Sequence, residues 1–142
     1  MIPRGAAQRP AAAGSVKLPV RTPEDIVRIR QLLREQAKAI GFSLVDQTKI
    51  VTAASELARN TMIYGGGEVE IQTLAEGARR GLRLTFIDQG PGIADVELAM
   101  KDGFTTGGGL GLGLGGAKRL CNEFSIDSRP GSGTRVMIAR WK

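Results

Sequence analysis

The chain contains no histidine. That removes Ser-His-Asp and Cys-His catalysis, imidazole-based zinc sites and any phosphorylation of this chain on histidine. A general base must then be a carboxylate, a lysine or a tyrosine. Cys121 stands alone, so neither a disulfide framework nor a cysteine metal site can form within the chain. It reads as a small buried hydrophobe near a helix end. Aromatics make up only 4% of residues and do not interleave with the basic ones, so nucleic-acid bases would find no stacking platform. The net charge of +6 therefore suits an acidic protein partner better than a nucleic acid. No apolar run approaches the length of a membrane span, and the N-terminus lacks the apolar core of a signal peptide. Together with the lone thiol, this fits a cytoplasmic, reducing compartment. No P-loop pattern is present. Gly111, Gly113 and Gly116 have the spacing of a dinucleotide fingerprint. They follow the polar stretch Lys101 to Thr106, however, whereas that fingerprint must follow a buried strand.

What is present reads as one domain over residues 15–142, a length that can bury one core. Before it, residues 1–14 form an Ala-, Pro- and Gly-rich tail expected to be disordered. Val16 to Val20 is a short strand. Thr22-Pro-Glu-Asp25 starts a helix, with Pro at the first helical position and acids in the first turn. Ile26, Ile29, Leu33, Ala37 and Ile40 continue it, and Gly41 stops it. Ser43 to Tyr64 is a second helix, with Ser43 and Asp46 in a capping-box arrangement. Val69, Ile71 and Thr73 alternate with Glu68, Glu70 and Gln72, the pattern of a half-exposed strand. Leu82, Leu84 and Phe86 form the inward face of the next. Phe124 and Ile126 begin a late strand, Arg129 to Gly133 turns, and Val136 and Ile138 mark the last strand. This order predicts an α+β two-layer sandwich: a mixed, largely antiparallel sheet with helices on one face.

Two glycine-rich stretches carry the chemistry. Asp88-Gln-Gly-Pro-Gly92 ends an apolar run, and its glycines let backbone approach a ligand. The run from Gly107 to Gly116 offers many backbone N–H groups on a loop that opens into a helix, which favours anions. A carboxylate that can hold an amino group, with a phosphate cradle downstream, suggests a purine nucleotide. Glu56 and Asn60 are four apart and share one helical face at the edge of the core. A carboxylate can take a proton, and an amide oxygen suits a hard cation such as Mg²⁺. Taken singly, each feature has an ordinary reading as a polar helix edge, a turn or a linker. Their order on successive elements points to a site.

Glu56-Leu-Ala-Arg-Asn60, Asp88-Gln-Gly-Pro-Gly92, Gly107-Gly-Gly-Leu-Gly-Leu-Gly113 and Gly131-Ser-Gly-Thr134 resemble the four boxes of the GHKL ATPase/kinase superfamily, the Bergerat fold. Within it, the phrases Ser55 to Asn60, Asp88 to Ile93, Asp102-Gly-Phe104 and Gly116 to Leu120 are most like the serine/threonine switch kinases of the stressosome. The resemblance spans Val16 to Lys142. It implies ATP with Mg²⁺. Asp88 would hold the adenine amino group, and Thr134 would assist through its hydroxyl and a water. Gly90 and Gly92 would keep the adenine pocket open. Asn60 would ligate Mg²⁺. Gly109, Gly111 and Gly113 would present amides to the phosphates, within a binding stretch that also takes in Thr106, Gly108, Leu110 and Leu112. Ile93 to Gly108 would be the ATP lid, and Glu56 would accept or orient the proton of the incoming hydroxyl. Implied partners are STAS-domain substrates of RsbS/RsbR type and a PP2C-type phosphatase of RsbU type. Two further readings remain open: an anti-sigma kinase that sequesters a sigma factor, and a nucleotide-binding module without transfer activity. Relatives of the anti-sigma type commonly carry a histidine shortly after the asparagine; here Thr-Met-Ile-Tyr64 follows Asn60.

Overall fold

The computed structural model describes residues 11–92, 100 and 113–142. The first strand, β1 (Ala11–Val20), leads into α1 (Pro23–Ala39) and α2 (Leu44–Ile63). The hairpin of β2 (Gly67–Glu76) and β3 (Arg79–Asp88) follows, then α3 (Gly113–Arg119), β4 (Glu123–Ser128) and β5 (Thr134–Trp141). The strands form one sheet in the order β1-β2-β3-β5-β4. Every described pairing is antiparallel.

β1 is longer than the Val16 to Val20 strand read from the sequence. It begins at Ala11, inside the stretch expected to be tail, with an irregularity in register between Ala12 and Gly14. Backbone pairing along β2 extends it, and side-chain alternation carries no record of such pairing. Residues 1–10 of the expected tail lie outside the described residues.

α1 starts on a complete capping box. The Thr22 hydroxyl accepts from the Asp25 amide at 3.2 Å, while Asp25 Oδ2 accepts from the Thr22 amide at 3.1 Å. α2 starts differently from expectation. Ser43 accepts from the Asp46 amide at 3.1 Å, but the Asp46 carboxylate turns away to Arg140 of β5, 2.6 Å from its guanidinium. The reciprocal half of the box has been exchanged for a link between helix and sheet.

Both helices cover one sheet face. Ile29, Leu33 and Ala37 of α1 and Ile50, Ala54, Leu57 and Ala58 of α2 are buried against Val69, Ile71, Leu82, Leu84, Phe86, Val136 and Ile138. Leu114 and Ala117 add α3 to the same core. The other sheet face carries Glu68, Glu70, Gln72, Arg83 and Arg135, as the alternation requires. One end of that face is apolar: Leu74, Ala139 and Trp141 are buried there, with Gly81 beneath the indole.

Candidate functional site

Asp88 closes β3 on the inward row that begins with Leu82, Leu84 and Phe86. Strand alternation therefore drives a carboxylate into the helix-covered layer, where it is 6% exposed. Its Oδ1 accepts the Gly90 amide at 2.9 Å. Burial pushes this carboxyl above the usual carboxylate range, and the amides of Gly90 and Thr134 pull the other way. Backbone dipoles hold this anion, so a ligand that donates a hydrogen bond meets a receptive acceptor.

A second buried carboxylate lies on α2. Glu56 is 3% exposed, midway along a helix whose neighbouring buried residues are apolar or small. Asn60, one turn on, is half-buried. Two hydroxyls of this helix bond its own backbone: buried Thr61 donates to the Leu57 carbonyl and partly buried Ser55 to the Val51 carbonyl, at 2.9 and 2.8 Å. α2 ends at Tyr64, where Gly65 and Gly66 take φ of +110° and +84° and turn the chain into β2.

Glycines lock this helix end to the strand end. A side chain on Gly90 would overlap the Tyr64 carbonyl, and one on Gly133 the Asp88 carbonyl. A side chain on Gly92 would strike the Arg129 carbonyl, and one on Gly67 the Ile87 carbonyl. The Gly131 amide donates to the Pro91 carbonyl at 2.7 Å. Gly90 and Gly92 thus allow close packing of backbone on backbone. The end of α2, the Asp88 loop and the β4–β5 turn meet as one close-packed junction.

The structure brings Asp88 and Thr134 side by side as a cross-strand pair, next to the end of α2 that carries Asn60. Glu56 lies one turn earlier on that helix. The Thr134 hydroxyl is 2.8 Å from that of Ser128, so Ser128 orients it. Gly113 opens α3, which packs on the core through Leu114 and Ala117. Thr106, Gly108, Gly109, Leu110, Gly111 and Leu112 lie outside the described residues, as does the expected lid apart from Met100, which packs against the core. Cys121 is partly buried just beyond α3, and burial raises its thiol to about 11.

Sequence reasoning missed Gly67, Tyr64 and Ser128, and it gave Gly133, inside the Gly131 to Thr134 box, no packing task. The triplet Gly65-Gly-Gly67 was a signal for close approach; the Tyr64 contact uses a backbone oxygen, which no residue type reveals. Among the described residues, no three His, Cys, Asp or Glu side chains cluster as a metal cage. Asn60 offers one amide oxygen. A cation here needs further oxygens, such as those of a phosphate chain, and Mg²⁺ fits that pattern of few protein ligands.

Comparison with known proteins agrees with this geometry. Residues 45–142 match the family model described as histidine kinase-, DNA gyrase B-, and HSP90-like ATPase. The chain is 50% identical over 123 residues to the serine/threonine-protein kinase RsbT of Bacillus subtilis (strain 168), covering 86% of this chain and 92% of the relative. It is 32% identical over 119 residues to the anti-sigma F factor of Thermoanaerobacter sp. (strain X514), covering 79% and 82%. Among solved structures, the RsbU and RsbW domains of a Mycobacterium tuberculosis protein superpose with a TM-score of 0.62 at 22% identity, over 90% of this chain and 32% of that one. That likeness supports the fold.

Proposed function

The chain belongs to the histidine kinase-, DNA gyrase B-, and HSP90-like ATPase family, and from that premise we propose that it is an ATP-dependent serine/threonine protein kinase of RsbT type. The carrying observation is the 50% identity to such a kinase across 92% of that kinase's length. The buried Asp88 at a glycine-locked junction supports the nucleotide half of this reading.

In this reading Asp88 accepts the exocyclic amino group of adenine. Thr134, oriented by Ser128, assists at the same edge of the ring. Gly113 and the preceding residues Thr106, Gly108, Gly109, Leu110, Gly111 and Leu112 receive the phosphates. Asn60 would hold Mg²⁺ through its amide oxygen, and the ion would supply charge neutralisation. Glu56 takes the proton of the incoming serine or threonine hydroxyl as its oxygen bonds to the γ-phosphorus and ADP leaves. Phosphoryl transfer is largely positioning plus charge stabilisation, so this small set suffices.

The proposed substrates are STAS-domain proteins of RsbS/RsbR type in a partner switch that acts in the cytoplasm. A new phosphate adds about 1.5–2 negative charges and breaks a tight contact that meets it with like charge or apolar surface. The released kinase then engages a PP2C-type phosphatase of RsbU type. Mixing the protein with its neighbouring STAS protein and Mg²⁺-ATP tests this, with phosphate incorporation and complex size followed together. Phosphorylation with dissociation is expected. A stable complex with a sigma factor, and no phosphate on any STAS protein, favours the second reading, an anti-sigma kinase; the 32% identity to an anti-sigma F factor supports it.

A further inference from the structure

Resting on the ATP reading above, we propose that Ser128 is a specificity-determining residue that acts through Thr134. By donating to the Thr134 hydroxyl, it leaves the Thr134 proton free for an acceptor on the ligand. With the Asp88 carboxylate this makes an acceptor beside a donor. Such a pair takes a purine whose exocyclic amino group adjoins an unprotonated ring nitrogen.

Strand register builds the row. Gly67 of β2, Asp88 of β3, Thr134 of β5 and Ser128 of β4 are successive cross-strand partners. Alternation places the last three on the helix-covered face, in line with Phe86, Val136 and Ile126 of their own strands. Gly67 brings no side chain, so the Asp88 carboxylate has Thr134 as its side-chain neighbour along the row. Thr134 is 8% exposed, and Ser128 is half-buried.

Hydrogen accounting sets the polarity. Each hydroxyl has one proton to donate. The Ser128 and Thr134 oxygens lie 2.8 Å apart, inside the span of about 2.5–3.0 Å for a good O–H···O bond. The Ser128 contact with the Gly133 carbonyl is longer, 3.4 Å. One of the two hydroxyls therefore spends its proton on the other. If Thr134 were the donor, it would meet a ligand as an acceptor only, next to the Asp88 acceptor. Hydroxyl dipoles orient in the local field, and a carboxylate turns them proton-first toward itself. Ser128 thus donates to Thr134, and the Thr134 proton stays on the Asp88 side of the row. Adenine carries its amino donor beside the acceptor nitrogen N1, which matches that pair directly or through one bridging water. Guanine and hypoxanthine carry the reverse, a carbonyl beside an N–H. Asp88 and Thr134 then read two adjoining ring positions, and Ser128 fixes the sense of the second.

The test is calorimetric titration with Mg²⁺-ATP and with Mg²⁺-1-deaza-ATP, whose ring has C–H in place of N1. Wild-type protein is expected to prefer ATP by at least about tenfold. Ser128→Ala should cut that preference roughly two- to tenfold, the scale of one neutral hydrogen bond, and leave 1-deaza-ATP affinity near the wild-type value. Ser128→Thr keeps a hydroxyl in the strand and should keep the preference. Ser125→Ala, on the exposed face of the same strand, should change neither affinity. Thermal melting checks that each variant folds. A merely structural role for Ser128 would weaken both nucleotides equally and leave their ratio unchanged, which overturns the proposal. So does loss of the preference in Ser128→Thr, or a wild-type protein that binds the two nucleotides equally. Those results leave ATP binding itself intact. Failure of the folded wild-type protein to bind either nucleotide overturns the ATP reading as well.

Discussion

The two ends of β3 bury side chains for opposite reasons. At its start, Gly81 lies under the Trp141 ring, with Leu74 and Ala139 buried alongside. The indole N–H donates to Glu123 at 2.8 Å, and the Arg79 guanidinium stacks 4.3 Å from the ring centroid. The indole N–H is thus paired, and burying an aromatic ring favours folding. At the other end the same strand buries Asp88, whose burial raises its pKa and works against the charged form. Around it, Gly67, Gly90 and Gly133 have no room for a side chain. One end stores stability. The other gives up stability to hold an acceptor in place, which is what a binding site requires.

The largest expected effects separate the two ends. Glu56→Gln keeps shape and removes the proposed base, so phosphate transfer should fall about 10²–10⁴-fold while ATP affinity and melting temperature hold. Trp141→Ala should do the reverse, costing about 3–5 kcal/mol in denaturant unfolding with ATP affinity of the folded protein unchanged. Transfer at the wild-type rate in Glu56→Gln would make Glu56 structural. Loss of ATP affinity in folded Trp141→Ala would erase the contrast between the ends.

Asp88→Asn comes next. Loss of a hydrogen bond to a charged acceptor costs about 1.5–3 kcal/mol, so ATP should bind about ten- to a hundredfold more weakly. Stability should move the other way. The folded pKa of Asp88 is raised, so its charged form lowers stability above that pKa, and the penalty is relieved as pH falls through it. Asp88→Asn removes the penalty at neutral pH, and a clear fall in melting temperature would contradict this.

Glycine substitutions give a smaller contrast. Gly77 and Gly133 both have positive φ, +59° and +81°, but only Gly133 lies against another backbone segment. Gly77→Ala should cost backbone strain alone, of order 1–3 kcal/mol. Gly133→Ala should cost that and displace the Asp88 carbonyl, weakening ATP binding as well. Equal effects of the two would deny that the junction is close-packed.

The smallest effect is acid-dependent. Hydrogen bonding to Arg140, then to Ser43, lowers the Asp46 pKa despite some desolvation. A depressed carboxylate adds stability above its unfolded pKa and loses it as pH falls through the folded value. Asp46→Asn should cost about 1 kcal/mol at neutral pH and little once the wild-type carboxylate is protonated. Urea titrations at neutral and strongly acidic pH check this.

The sequence was informative wherever side-chain pattern decides structure. The periodicity of Ile26 to Ile40, the alternation at Val69 to Thr73 and the inward row Leu82, Leu84, Phe86 all correspond to observed elements. Asp88 was legible because a charge ends an apolar row. Three features were not, because backbone or distant partners decide them. β1 gains residues from Ala11 onward by ladder pairing. Asp46 leaves its cap for Arg140, 94 positions away in sequence. Gly90 and Gly133 answer to carbonyl oxygens of Tyr64 and Asp88.

The proposed role of the buried Asp88 carboxylate is to select adenine. Calorimetric titration of the wild-type protein with Mg²⁺-ATP and Mg²⁺-GTP tests it most directly. Guanine presents a carbonyl where adenine presents its amino group, so Asp88 would face an acceptor instead of a donor. ATP should bind at least about tenfold more tightly, or about 1.4 kcal/mol; equal affinities for the two nucleotides would contradict the assignment.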